Sequence, residues 1–169
     1  MSDESRSGAA ATDPDDDFLY RGSRLGLPEN GPGSVPGVMR RLVGLALDWL
    51  LATLIVTGAL NAGLIGQELS LAAEGGGEPE ALALTNFTTV STLVVFAAVN
   101  ILLLTLFGTS VGRRLVGVGI IATGERSWPW FVSMAVRTLL LCLVIPAVVY
   151  DRDTRGLHDR AAGTITTRY

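Results

Sequence analysis

Arg40-Arg41-Leu42-Val43-Gly44-Leu45-Ala46-Leu47-Asp48-Trp49-Leu50 carries two arginines into a long apolar run and sets one carboxylate inside it. From Leu42 to Leu60 there are nineteen residues and a single charge, Asp48, which matches the roughly twenty apolar residues that a membrane-spanning helix needs. An aspartate at the centre of a bilayer costs about 2.5–3.5 kcal/mol on insertion scales, so Asp48 should face protein or water and have a partner. Arg41 falls within about 20° of the same helix face but roughly 10 Å away along the axis. That is too far for a direct pair in an unbent helix, so the partner is expected from another segment. Gly44 and Ala52, one turn on either side of Asp48, leave this face open to close approach by a neighbouring chain.

The whole chain fits this setting. It has 169 residues, 49% of them hydrophobic and 17% charged, with a mean hydropathy of +0.43, too apolar for an ordinary soluble domain of this size. The net charge of −3 is local: residues 1–17 hold six acids and one arginine, and the rest of the chain is net positive. A lone cysteine, Cys142, excludes an intramolecular disulfide, and without other thiols or a histidine cluster no metal site is expected. The acidic start, with no apolar run before Leu42, does not read as a cleaved signal peptide, so the first helix is expected to direct insertion.

Residues 1–37, rich in Ser, Gly, Asp and Pro, cannot bury a core and read as a disordered cytoplasmic tail. Residues 38–169 form the membrane domain, with helix 1 expected over about 40–62 and helix 2 over about 86–107. Between them Gln67 to Glu80 contains four glutamates, three consecutive glycines and Pro79, and reads as a loop. Arginines flank helix 1 on its N-terminal side and helix 2 on its C-terminal side, which places both ends in the cytoplasm and the glutamates outside. An interfacial segment, 108–127, includes the glycine-punctuated, β-capable stretch Val116 to Ala122. The apolar segment 128–150 is interrupted by Arg137 and Pro146; it is either re-entrant or a third span. An Arg-rich tail, 151–169, follows, and keeping its arginines on the same side as the others favours the re-entrant path and a cytoplasmic C-terminus. Thr164 to Thr167 is again β-capable and could pair with Val116 to Ala122. The expected fold is therefore an all-α membrane protein: two full transmembrane helices, a third interrupted apolar helix, and a small cytoplasmic β pairing.

Depth along these segments supplies candidate partners for Asp48. Counted from the cytoplasmic side, Asp48, Asn100 and Arg137 each lie roughly 10–12 Å in. A guanidinium and an amide at that level would satisfy the carboxylate. Such a network either fixes helix register or forms a site where a cation or proton meets Asp48. His158, beside Asp159, is a candidate proton acceptor or, more commonly, a hydrogen-bonded surface residue. No nucleophile, base and orienting group occur together, so no enzyme is expected. Nor is nucleic-acid binding: the basic residues are few and adjoin apolar spans.

Taken together, Arg41 and Asp48 in the first helix, Gly108-Thr109-Ser110-Val111-Gly112-Arg113-Arg114-Leu115-Val116-Gly117, and Arg155-Gly156-Leu157-His158-Asp159-Arg160-Ala161-Ala162-Gly163-Thr164 resemble the RDD family of bacterial membrane proteins. That family is named for one arginine and two aspartates, which by resemblance map to Arg41, with Arg40 the weaker match, Asp48 and Asp159. The resemblance implies a multi-pass protein of the bacterial plasma membrane. It also implies a component of ion or small-ligand transport, some members being associated with sodium/proton antiport. Two spans cannot enclose a pore, so a homo-oligomer or another membrane protein is the expected partner besides the lipid bilayer, with a cation or proton as ligand and no cofactor. The alternative is a non-transporting assembly or interaction module whose polar network is structural.

Overall fold

The computed structural model describes residues 19–123, 128–143 and 155–169. Its first long helix, α1 (Val38–Asn61), follows an extended Gly37 and ends where Gly63 turns into the left-handed region at φ 67°. Its buried residues are Gly44, Asp48, Ala52 and Val56. Repeating every four residues, they form one narrow stripe. α3 (Glu78–Phe107) buries a matching stripe of Thr92, Phe96, Asn100 and Leu104, and the two helices pack along these stripes. Much of their remaining surface is apolar and outward-facing, including Leu50, Leu54, Val90, Val94, Leu102 and Leu106. A soluble helix would bury such a face. At 24 and 30 residues both helices exceed the length needed to cross a bilayer.

The stretch between them differs from the expected loop. α2 (Gln67–Gly75) occupies most of it, and α3 starts at Glu78, ahead of the expected start near 86. The signals taken as breakers are those of a helix start: Pro79 sits in the first turn of α3, where its missing N–H is no loss. The Gly77 N–H donates to the Glu80 carboxylate at 3.0 Å, tying off that end.

At the other end of the pair, Gly108 takes φ 66° and closes α3 with its N–H on Leu104 O, the left-handed helix stop that glycine adopts without strain. There follow α4 (Val111–Leu115) and β1 (Val118–Ala122). β1 is fastened under the end of α3 by Ile120 N–H to Gly108 O at 2.8 Å and by Thr109 Oγ1 to Val118 O at 2.9 Å. After β1 comes α5 (Trp130–Cys142), running antiparallel to α3. Trp130 Nε1 donates to Thr105 O at 2.9 Å at its start, Met134 packs with Leu104 and Ile120, and Leu141 packs with Phe96 and Ala52 further along. Its thirteen residues reach about 20 Å, short of a full crossing. Pro146, on which the break in this segment was expected, lies outside the described residues.

The chain closes with α6 (Leu157–Ala161) and β2 (Thr164–Arg168). β2 runs antiparallel to β1 in the register Val118↔Arg168 to Ala122↔Thr164, the pairing anticipated from the two β-capable stretches. The opposite edge of β2 is covered from the N-terminal side. Gly33 N–H donates to Arg168 O and Arg168 N–H to Ser34 O, both at 2.9 Å, while Ser34, Val35 and Pro36 are buried. The tail expected to be structureless through residue 37 is thus docked at its last residues, because an open β edge offers partners for backbone groups that composition alone does not foresee. Its first eighteen residues lie outside the described ones. Together α4, β1, α6, β2 and this strap form a cap on the end of the helix pair at which α1 begins and α3 finishes.

Candidate functional site

Where the cap meets α1, backbone lies almost on backbone. A methyl group on Gly112 would collide with Gly44 O and lie 2.8 Å from Asp48 N. One on Gly44 would lie 3.2 Å from Arg113 Cα. This glycine–glycine crossing presses the start of α4 against the helix face carrying Asp48, as the small-residue face predicted. Asp48 Oδ1 accepts the Gly112 N–H at 2.7 Å, and Oδ2 accepts the Ser110 hydroxyl. The carboxylate of one helix therefore caps the first turn of another. Its charge meets the free N–H groups and positive dipole end found there.

These are not the partners expected. Asn100 donates from Nδ2 to Phe96 O at 3.0 Å on its own helix, and Arg137 pairs with Asp159, its Nε donating to Oδ1 at 2.5 Å. The depth estimate considered only α1, α3 and α5. It left out the segment after α3, which folds back onto α1 and reaches Asp48 first. Ser110 and Gly112 fall in the segment expected only to be interfacial; a Ser two positions before Gly-Arg-Arg is also a helix-start signal.

Asp159 is the second centre. At 1% exposure it receives Arg137 Nε, then Thr166 Oγ1 at 3.2 Å on Oδ2. Arg41 Nη1 stands 4.0 Å from Oδ2 and His158 Nε2 3.7 Å from Oδ1. Burial alone would raise this carboxyl's pKa; Arg137, followed by His158 and Arg41, overrides it and holds the group at about 2. His158 is itself buried, its ring packed against Gly156, and so belongs to the cluster instead of the surface. The three motif residues and their helpers thus gather α1, α5, α6 and β2 around Asp159, while α1 and α4 meet at Asp48. Asn100 lies on the buried stripe of α3 and gives its amide N–H to Phe96 O on its own helix, not to either aspartate.

Arg113, 4% exposed and under the influence of both Asp48 and Asp159, enters the sequence reading only as part of the stretch Gly108 to Gly117. Desolvation pushes its guanidinium down to about 9; Arg137 and Arg41 push the same way, against the attraction of Asp48 and Asp159. It remains protonated at neutral pH. Among the described residues no group of three or more His, Cys, Asp or Glu is placed to hold a metal ion.

The family model of the RDD family matches residues 35–163, well over half of the chain, a range that includes Arg41, Asp48 and Asp159. The chain belongs to the RDD family. No curated protein and no solved structure matches it. As an RDD protein it carries two apolar helices long enough to cross a bilayer, which with the family assignment identify a membrane protein. Of the residues to which the resemblance pointed, Arg41 and Asp159 approach directly, at 4.0 Å, and Asp48 lies on the buried stripe of α1 that receives the cap.

Proposed function

We propose that this RDD protein is a multi-pass module of the bacterial plasma membrane whose family residues act as a latch, fixing a cytoplasmic cap to the ends of two transmembrane helices, and that it works by assembling with a second transmembrane chain. One observation carries this reading. Both family aspartates direct their oxygens to protein donors: Asp48 to Ser110 and Gly112, Asp159 to Arg137 and Thr166. A carboxylate that captures and releases cations needs lone pairs turned toward a path; here both oxygens of each bind other parts of the fold.

Charge distribution supports the orientation. Arg40, Arg41, Arg113 and Arg114 lie at the cap end of the helices, and Glu68, Glu74, Glu78 and Glu80 on the connection at the far end, the sorting that keeps arginine in the cytoplasm. An apolar cleft of about 550 Å³ between α1, α3 and α5, lined by Leu42, Leu45, Trp49, Leu93, Phe96 and Leu141 among others, supports packing by side chains of a further helix, a second copy being the simplest. No enzymatic role belongs to this reading. Crosslinking in native membranes should trap a complex larger than the single chain; recovery of monomer alone would overturn the assembly role.

A second reading, transport of an ion or small ligand, is favoured by the concentration of buried ionisable side chains at one end of the spans, since such residues often mark pathways. In proteoliposomes, Asp48→Asn in correctly folded protein should then abolish cation-coupled proton movement. Unchanged movement, or none in the parent protein, removes this reading.

A further inference from the structure

We propose that Arg113 and Arg137 together bind one phosphate-type oxyanion at the cap end of the helices, supplied either as free phosphate or as the headgroup of an anionic lipid. Arg113 is 4% exposed and Arg137 2% exposed. The Nη1 of each is buried without a hydrogen-bond partner among the described residues. Arg137 commits its Nε to Asp159 and leaves that Nη1 over. Arg113 has less: Asp48 and Asp159 act on it only at longer range, both being engaged elsewhere. A buried guanidinium without a close counter-charge is a costly arrangement, and two that repel one another more so. An anion between them removes both penalties.

The neighbouring groups define its chemistry. Ser133 Oγ and Thr138 Oγ1, fully buried on α5 near Arg137, also have no partner among the described residues. Hydroxyls and guanidinium N–H groups donate, and the planar guanidinium fork suits the oxygens of phosphate better than a spherical halide. Asn100 Oδ1, the unsatisfied acceptor on the facing stripe of α3, suits the P–OH of free monoprotonated phosphate or a glycerol hydroxyl of a phosphatidylglycerol headgroup. A water molecule would fill space and satisfy donors but would leave the charge uncompensated. The electrostatics agree: Arg137 is, after desolvation, the strongest influence on Arg113, so the two guanidiniums share one region. The site shares Arg137 with the latch but uses its Nη1 and not the Nε that holds Asp159, and Arg113, the residue varied in the test, makes no direct bond to either aspartate.

The test uses the full chain, purified without phosphate in a non-ionic detergent and titrated with inorganic phosphate against chloride at constant ionic strength. Thermal unfolding should shift upward by several degrees and saturate with phosphate but not chloride, and Arg113→Gln should weaken the apparent affinity tenfold or more. In a parallel arm, native mass spectrometry from nanodiscs should show retained phosphatidylglycerol, but not phosphatidylcholine, lost in Arg113→Gln. Phosphate response in detergent identifies the free anion as sufficient; retention of phosphatidylglycerol without it identifies the lipid headgroup. Either supports the site. No phosphate-specific shift and no selective lipid retention in the parent protein would overturn it, and that comparison stands even if the variant does not fold.

Discussion

Arg137 and Asp159 are a buried pair made by residues 22 positions apart, and removing one partner strands the other. Arg137→Gln should lower stability by about 3–5 kcal/mol, seen as a loss of melting temperature in detergent; a variant melting like the parent would show that the pair is not a structural tie. The same carboxylate sets an acid limit. Its pKa in the fold, about 2, lies below its ordinary value of 3.8. Its charge therefore stabilises the fold fully above about pH 4, and this contribution, on the order of 2 kcal/mol, is lost as pH falls from about 4 toward 2. Melting temperature followed over that window should decline in the parent and decline less in Asp159→Asn. At Asp48 the loss is of a different kind: Asp48→Ala leaves neutral donors, the Gly112 N–H and the Ser110 hydroxyl, unsatisfied, worth about 1–3 kcal/mol. Asp48 was legible as an anomaly because a charge in an apolar run has to be explained; its partners were not, because hydrogen bonds between residues 62 and 64 positions apart leave no local trace.

Among the elements, the α1–α4 crossing depends on having no side chain at two positions. Gly112→Ala would drive a methyl into Gly44 O. Because the obstacle is backbone, the helices must separate, at a cost of about 1–3 kcal/mol or more. The expected result is a lowered melting temperature together with faster proteolysis of the cap, and Gly37→Ala, whose added methyl meets nothing within 4 Å, serves as the tolerated control. Both long helices were legible because apolar length is a local property, and the β pairing because two short β-capable stretches each sit beside a glycine. The start of α3 was missed for the opposite reason. Pro79 and the glycines before it mark a loop or a helix start equally well, and the Gly77–Glu80 bond decides between them.

At the scale of the whole molecule, β1 follows α3 and β2 ends the chain, yet they pair strand to strand. The C-terminus therefore shares an end with the start of α1. Tyr169 should be protected from a membrane-impermeant label in intact cells and accessible in inverted vesicles; labelling from outside would reverse the proposed orientation. By itself the sequence determined the two spans, the apolar third helix and the family motifs, because each depends on composition or spacing along a continuous stretch. Only the tertiary structure decided that Asp48 caps α4, that Arg137 answers Asp159, and that Arg113 lies buried between them. Pairing of buried charges depends on which segment folds back first onto a helix face, and a segment five residues long with two glycines nearby carries no periodicity from which that could be read.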